Sequence, residues 1–333
     1  MSNYAIGIDL GGTKILTGLV NKGNGEVLYS IKQKTGKEKD AETIVEKLKL
    51  SIKELIENSH FDISQIDSIG IGAPGQVDRQ KGILVSAPNL NCENLNLKAI
   101  LEREFYIPTF IGNDVEIATL GEMKFGAGRG FNDFVCIFVG TGIGSGIAQN
   151  GEVRNGATGT AGEIGHIIVD AGGRPCGCGA NGCLEAYASR SAIEARIMGA
   201  LKKGRASVIT EFMRDDKAIS SKMIRKALEH KDELITQILS EASEYLSNGL
   251  ATIINFYNPE LIVMGGGLID AVDIFYERTV ERAKSKALPI PASKIQFKKA
   301  QLGDFSGVVG ACFLEEAQKS KKNSNEQIRH LSA

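Results

Sequence analysis

The sequence lacks tryptophan, an excess of charge of either sign and any long apolar run. Its 39 Lys and Arg residues nearly balance 40 Asp and Glu residues, and the net charge of −1 gives no electrostatic footprint for nucleic acid or a membrane surface. No apolar run approaches a membrane span, and no basic, apolar signal peptide precedes the first predicted strand. These absences predict a soluble, cytoplasmic protein with no nucleic-acid partner and no membrane partner.

The length of the chain indicates its number of domains, and the spacing of its cysteines indicates their chemistry. A chain of 333 residues with 42% apolar residues is too long for one ordinary core and suits two domains. Disulfides are not expected in the cytoplasm, so clustered cysteines favour metal or redox chemistry. Cys92, Cys136 and Cys312 stand apart from other cysteines, and we expect them to be small buried or neutral residues.

The other three cysteines lie in the segment 161–185, AGEIGHIIVDAGGRPCGCGANGCLE. Cys176, Cys178 and Cys183 fall within eight positions and are separated by glycines, a pattern that core packing does not require. Thiolates with one imidazole form the ligand set of structural zinc, so the segment predicts a Zn²⁺ site made with His166. The metal would fix a loop whose polar residues Glu163, His166 and Glu185 face a substrate.

A predicted β-hairpin opens the chain, with strands over Tyr4–Asp9 and Ile15–Asn21. Its turn holds Gly11, Gly12, Thr13 and Lys14. Glycine lets the backbone approach an anion closely, Lys14 could meet phosphate, and Asp9 could hold a hydrated Mg²⁺. The alternative is an ordinary tight hairpin with a solvated lysine. The turn is not a Walker A loop, because the GxxxxGK[ST] spacing is missing and no helix follows.

The same pattern of an apolar strand, a Gly-Thr turn and a second strand recurs after the predicted strand Asp133–Val139. Its turn holds Gly140, Thr141 and Gly142. Two such hairpins predict two related halves that face each other across a cleft and offer amides to one phosphate chain. A third glycine segment follows the predicted strand Leu261–Met264. Its members Gly265, Gly266 and Gly267 would let a flat ring or a ribose lie against the backbone.

Two loops at predicted strand ends are further candidates. Gly70 to Gly75 matches GxGxxG, but Pro74 and the hairpin-like residues that follow leave no helix for a pyrophosphate, which excludes a dinucleotide fingerprint. Asn113-Asp114 lies between a predicted strand over 108–112 and a predicted helix over 115–126. Asp114 could accept a hydroxyl proton there. The alternative is a plain helix N-cap, and one residue can serve both roles.

Apolar periodicity predicts one helix over Glu185–Lys202 and long helical segments over Ser220–Ala251. The apolar stripes of the second region indicate core or a dimer interface.

The Asp9–Lys14 segment, the second Gly-Thr-Gly hairpin and the glycine triplet resemble the sugar kinases of the actin-like ATPase superfamily. AGEIGH and CGCGANGCLE narrow the resemblance to the ROK family (repressors, open reading frames and kinases), and in particular to its glucokinase branch. The resemblance spans Tyr4 to about Leu314. It implies an α/β fold of two actin-like, ribonuclease H-like domains, with ATP and a hexose in an interdomain cleft.

The resemblance also implies the division of the chain. Residues 1–113, completed by 303–333, would form the smaller domain. Residues 114–302 would form a larger domain with the zinc loop and the helices of a homodimer or higher homo-oligomer.

The roles of individual residues follow from the same resemblance. The γ-phosphate of ATP is expected near Gly11, Gly12, Thr13 and Lys14, the inner phosphates at Gly140, Thr141 and Gly142, and adenosine near Gly265, Gly266 and Gly267. The hexose is expected at Gly75, Asn89, Asn113, Asp114, Glu163, His166 and Glu185. Asp114 would be the catalytic base for the 6-hydroxyl of glucose. Zinc, with four protein ligands and no open position, would be structural.

Two departures bear on the sugar. Family glucokinases often carry a tryptophan shortly after the position of Leu90, and this chain has none. Gln76 stands where relatives acting on N-acetylated sugars can carry Arg. Its amide neither confirms nor excludes an N-acetylated substrate. Glucose is preferred, while mannose, N-acetylmannosamine, N-acetylglucosamine, fructose and allose stay open, as does polyphosphate as donor.

Two rival classes of protein would differ from a sugar kinase in their sequence features. A repressor of the same family would carry an additional N-terminal helix-turn-helix domain, for which the early hairpin is expected to leave no room. A pure zinc-stabilised scaffold would not explain the paired Gly-Thr hairpins together with Asn113 and Asp114.

Overall fold

Apolar runs between glycine-rich turns form strands, and within the described residues these strands make three sheets. The structure is a computed structural model that describes residues 3–36, 40–213 and 218–319. In chain order the strands are β1 (Tyr4–Leu10), β2 (Lys14–Asn21), β3 (Glu26–Lys34), β4 (Ile66–Ala73), β5 (Gln76–Asp78), β6 (Ile83–Ala87), β7 (Cys92–Leu95), β8 (Thr109–Asn113), β9 (Phe134–Val139), β10 (Ile143–Gln149), β11 (Glu152–Arg154), β12 (Leu261–Gly265) and β13 (Gln296–Lys299).

Most of the longer helices begin at a polar cap, as the sequence favours. Asp40, Asn96 and Asp232 each accept a backbone N–H from the first turn of the helix that follows. In chain order the helices are α1 (Ala41–Ser59), α2 (Leu97–Phe105), α3 (Asp114–Phe125), α4 (Glu185–Ala188), α5 (Arg190–Lys202), α6 (Ile209–Phe212), α7 (Ser221–Glu229), α8 (Glu233–Tyr257), α9 (Gly267–Ala271), α10 (Asp273–Lys286), α11 (Pro289–Lys294) and α12 (Ser306–Ala311). None of the helices in the described ranges combines the length and apolarity that crossing a bilayer requires.

The chain divides into two units, and the first comprises the described residues of Met1–Asn132, Gly146–Ala161 and Asp304–Ala333. Its sheet has the order β3-β2-β1-β4-β8, in which β1, β4 and β8 run parallel. Alternate strand residues such as Ile6 and Ile8 are buried in one core with Leu48 of α1 and Leu101 of α2. Because side chains alternate along a strand, Ile6 and Ile8 share the face of β1 that packs in this core.

Glycines let α12 lie directly on this sheet. A side chain at Gly7 of β1 would collide with the carbonyl oxygen of Val308, and one at Gly70 of β4 would collide with that of Ala311. The apolar, glycine-containing helix α12 therefore packs backbone to backbone against the strands that lead into the glycine-rich loops.

The second unit comprises Asp133–Ser145 and Gly162–Gly303 among the described residues. Within it, β9, β12 and β13 are neighbouring strands of the β11-β10-β9-β12-β13 sheet, and β9 runs parallel to β12 with Phe138 opposite Gly265. Because the carboxyl ends of parallel strands meet at the same edge, the turn after β9 and the glycine triplet after β12 lie side by side.

The prediction of one continuous helix over Glu185–Lys202 is wrong at Ser189, where the structure has a break between α4 and α5. Ser189 has an extended backbone (φ −70°, ψ 157°), and its hydroxyl caps α5 by accepting the N–H of Ala192 at 3.1 Å. Serine competes with the helix for backbone hydrogen bonds, so the chain turns between α4 and α5. Arg190 thereby becomes the first residue of α5.

Two local predictions are confirmed. Gly75 is followed by the antiparallel strands β5 and β6 and by no helix, so the GxGxxG match is not a dinucleotide fingerprint. Cys92, Cys136 and Cys312 are buried. Of the predicted domains, residues 1, 2, 37–39, 214–217 and 320–333 lie outside the described part of the chain.

Candidate active site

The turn between β1 and β2 holds the first predicted phosphate segment. The N–H of Gly11 donates to the carbonyl of Lys14 at 2.9 Å, and the hydroxyl of Thr35 donates to the carbonyl of Gly11 at 2.6 Å. A side chain at Gly12 would meet the Cβ of Asn89 at 3.7 Å. The structure therefore places Asn89, predicted to bind sugar, beside the turn predicted to bind phosphate.

A charged cluster that the sequence analysis missed surrounds this turn. Asp304 accepts from Lys14 Nζ at 2.8 Å and from Lys32 Nζ at 2.9 Å, and the hydrogen bond from Lys14 is the main reason that the pKa of Asp304 is lowered. Burial raises the pKa of Asp9 to about 6; Lys14 opposes the rise and Asp304 adds to it. Lys14 is thus held by a carboxylate 290 residues away, a pairing that no local spacing reveals.

Asn113 and Asp114 lie where β8 passes into α3. Asn113 is the helix cap: its Oδ1 accepts the N–H of Val115 at 2.9 Å, and Glu116 accepts the N–H of Asn113 at 3.2 Å in a capping box. Asp114 is the first helical residue, and its carboxylate accepts the N–H of Val115 at 2.9 Å. Asn113 Nδ2 also donates to the carbonyl of Gly75 at 3.3 Å, which brings two predicted sugar residues together.

Arg79 supports this junction and was not anticipated from the sequence. Its Nε donates to Glu116 Oε2 at 2.7 Å, and the two side chains are only 13% and 7% exposed. Its Nη2 donates to the carbonyl of Gly159 at 3.2 Å. The hairpin of β5 and β6, the 155–161 segment and the start of α3 are therefore joined through one guanidinium.

In the second unit, the two glycine segments at the ends of β9 and β12 adjoin each other. Gly266 has φ +96°, and a side chain there would contact the backbone of Val139. Apart from its two chain neighbours, no described residue has an atom within 4 Å of where a Gly140 side chain would begin, so an anion can approach that backbone. The role of this loop and of the Thr141 hydroxyl in binding nucleotide phosphates stays a prediction.

Glu185 connects this loop to the cysteine segment. Its Oε2 accepts the N–H of Ile143 at 2.8 Å and occupies the space in which a Gly142 side chain would lie. Its Oε1 lies 4.0 Å from Cys176 Sγ. Glu163 is exposed and directly precedes the short 3-10 turn Ile164–His166, which ends at His166.

The four predicted zinc ligands lie together. The donor atoms of His166, Cys176, Cys178 and Cys183 are all within 4.8 Å of one another. Cys178 Sγ lies 3.6 Å from Cys183 Sγ, and Cys176 Sγ lies 3.8 Å from His166 Nδ1. Zn–S bonds of about 2.3 Å in a tetrahedron place two sulfurs about 3.8 Å apart, so the geometry fits zinc.

The thiols differ in their electrostatic setting. The pKa of Cys178 is lowered to about 7, mainly by a hydrogen bond from the backbone N–H of Ala180. Burial raises the pKa of Cys183. Cys183 therefore favours the neutral thiol unless a cation compensates the buried charge.

The chain is similar to known proteins over nearly its whole length. Residues 5–318 match the ROK family. The chain is 32% identical to a glucokinase of Halalkalibacterium halodurans over 97% of this chain and 98% of that protein. It is also 32% identical to a xylose repressor of Caldicellulosiruptor bescii, over 92% of this chain and 76% of the repressor.

A solved structure gives the same answer for the fold. A ROK family glucokinase from Streptomyces griseus, in complex with glucose and AMPPNP, superposes with a TM-score of 0.81 at 32% identity, covering 93% of this chain and 98% of that one. The predicted α/β actin-like ATPase fold is confirmed. This chain belongs to the ROK family and is similar to the family's glucokinases over nearly its whole length.

Proposed function

We propose that the protein is an ATP-dependent hexokinase that phosphorylates the 6-hydroxyl of glucose, with Asp114 as the general base. The observation that carries the proposal is the junction of β8 and α3. Asn113 supplies the helix cap there and donates to the carbonyl of Gly75, and Asp114 places a carboxylate at the adjoining first position of α3. Similarity to glucokinases, one of which binds glucose and AMPPNP, supports the choice of substrates.

In the proposed reaction, Asp114 accepts the proton of the sugar hydroxyl as that oxygen attacks the γ-phosphorus of ATP. The bond to the bridging oxygen breaks, and ADP leaves. Lys14 and the amides of Gly12 and Thr13 stabilise charge on the transferred group. Positioning and electrostatics would supply most of the acceleration, as is general for phosphoryl transfer.

The second unit would hold the rest of the nucleotide and the outer face of the sugar. The Gly140–Gly142 loop would bind the inner phosphates and the Gly265–Gly267 segment the adenosine. Glu163, His166 and Glu185 would bind sugar hydroxyls.

Two metal ions belong to the proposal. Asp9 would hold a hydrated Mg²⁺, which neutralises phosphate charge when it is bound. His166, Cys176, Cys178 and Cys183 would hold a zinc ion that supplies structure only, since four protein ligands leave no open position. With one ring nitrogen on zinc, the other nitrogen of His166 is available to orient a sugar hydroxyl.

The homodimer, the cytoplasmic location and the domain boundaries 1–113 with 303–333 and 114–302 remain predictions. So does the choice among hexoses and between ATP and polyphosphate. A sugar-sensing regulator is the second candidate function, because a xylose repressor matches this chain with the same 32% identity as the glucokinase.

A coupled assay that measures ADP release tests the proposal. The purified protein is given ATP, Mg²⁺ and a panel of glucose, mannose, fructose, allose, N-acetylglucosamine and N-acetylmannosamine, and the phosphorylated carbon is located by NMR. We expect the highest kcat/KM for glucose and phosphate on carbon 6. Sugar binding without phosphorylation of any hexose would instead support the regulator.

A further inference from the structure

Arg190 is attached to the Gly140–Gly142 loop in two ways. Its Nη2 donates to the hydroxyl of Thr141 at 3.1 Å, and its backbone N–H donates to the carbonyl of Gly140 at 2.9 Å. The break at Ser189 makes this possible, because it starts α5 at the edge where β9 ends. The sequence analysis, which predicted one unbroken helix, gave Arg190 no role.

The guanidinium is oriented from its other side by Glu194. Arg190 Nη1 lies 3.5 Å from Glu194 Oε2, one turn further along α5, and Glu194 Oε1 accepts the N–H of Ile219 at 2.8 Å. The side chains of Arg190 and Glu194 are 24% and 23% exposed. A guanidinium has five N–H donors in a planar fork, more than these contacts use.

The same contacts lead to the third glycine segment. Ile219 immediately precedes the residues that start α7, and the hydroxyl of Ser221 lies 3.8 Å from where a Gly267 side chain would begin. A continuous series of contacts therefore runs from Thr141 through Arg190 and Glu194 to the neighbourhood of Gly267. Arg190 lies on the outline of the proposed nucleotide site, at its phosphate end.

We propose that Arg190 binds the phosphate chain of the nucleotide; this inference rests on the proposed function. A planar guanidinium suits two phosphate oxygens at once, which a lysine ammonium does not. The contact with Thr141 places the fork at the loop that is assigned to the inner phosphates. Glu194 limits the rotamers of the side chain, so little freedom is lost when phosphate binds.

A purely structural role would be to hold α5 against the loop. That role is already served by the backbone N–H of Arg190 to Gly140, which a side-chain substitution leaves in place. Replacing the side chain therefore separates phosphate binding from the attachment of the helix.

Isothermal titration of Arg190→Gln with Mg²⁺-ADP, pyrophosphate and adenosine tests the proposal. We expect the Kd for ADP and pyrophosphate to rise about tenfold or more, which is about 1.4 kcal/mol, with adenosine and glucose binding unchanged. Arg190→Lys, which keeps the charge without the fork, should recover part of the ADP affinity. Arg196→Gln is the matched control on the same helix, because Arg196 pairs with Glu241 at 2.7 Å.

Two results would overturn the inference. One is an ADP affinity of Arg190→Gln within twofold of wild type, and the other is an equal loss for adenosine, which would assign Arg190 to the base or ribose or to general structure. If Arg190→Gln does not fold, the ratio of ADP to adenosine affinity in Arg190→Lys decides in the same way. A wild-type protein that binds ADP but phosphorylates no hexose would refute the proposed function and leave this inference standing.

Discussion

The ion pair between Arg79 and Glu116 links the stability of the first unit to its proposed chemistry. Arg79 Nε lies 2.7 Å from Glu116 Oε2, and both side chains are nearly buried. The same carboxylate oxygen accepts the N–H of Asn113 at 3.2 Å. Arg79→Gln would leave a buried carboxylate without its cation, at the residue that fixes the start of α3.

The expected loss of stability follows from the burial of the pair. Removing one partner of a buried ion pair costs about 3–5 kcal/mol, and we expect the lower end, since water reaches part of Arg79. For a domain of this size, each kcal/mol corresponds to roughly 2–4 °C in Tm, so about 3 kcal/mol predicts a fall of roughly 6–12 °C. The double variant Arg79→Gln, Glu116→Gln removes the uncompensated charge and should recover most of that loss.

The same variant should lower kcat. Glu116 holds the backbone of Asn113, and Asn113 adjoins the proposed base, so a shifted junction is expected to reduce kcat roughly 10- to 100-fold. Thermal melting and the coupled kinase assay measure the two effects. Arg103→Gln is the control, because Arg103 is an exposed arginine in the last turn of α2.

The reasoning about the pair would be refuted by either of two results. One is a Tm for Arg79→Gln within about 2 °C of wild type, less than 1 kcal/mol. The other is a double variant no more stable than the single one.

Two further predictions concern the metal cluster and a helix contact. Metal analysis should find about one zinc per chain. Cys178→Ser should lose the zinc and have a lower Tm, whereas the control Cys136→Ala should keep it. Full activity of a metal-free preparation would contradict the structural role of the zinc. Gly121→Ala should destabilise the protein by about 1–3 kcal/mol, because its methyl group would collide with the carbonyl of Ser306. Gly199→Ala should stabilise it by about 1 kcal/mol, because outside the backbone of its own helix no described residue lies within 4 Å of the added methyl group. Equal changes for the two glycines in urea unfolding would disprove the packing argument.

Local patterns in the sequence carried the prediction of the family and much of the fold. The strands flanking Gly11–Lys14 and the helix Leu97–Phe105 follow from apolar period, and the spacing of His166 and the three cysteines anticipated a cluster whose geometry fits a metal. These features are encoded within short stretches of chain. The family itself is confirmed by the match over residues 5–318.

What the sequence did not reveal depends on contacts between distant residues. Lys14 forms an ion pair with Asp304, and Arg79 donates a hydrogen bond to the carbonyl of Gly159. Glu185 accepts the backbone N–H of Ile143. The period of apolar residues along the sequence does not indicate such contacts. The helix break at Ser189 was missed for a different reason. The apolar period continues across it, and a serine hydroxyl that caps the next helix outweighs that pattern.

Asp114→Asn tests the central claim most directly, because the change removes the proposed base and keeps the shape of the side chain. Asp273→Asn is the matched control, since Asp273 is also the first residue of a helix. We predict that Asp114→Asn lowers kcat for glucose phosphorylation about 10²–10⁴-fold and leaves the Kd for glucose within a few-fold of wild type. Wild-type turnover by Asp114→Asn would contradict the account.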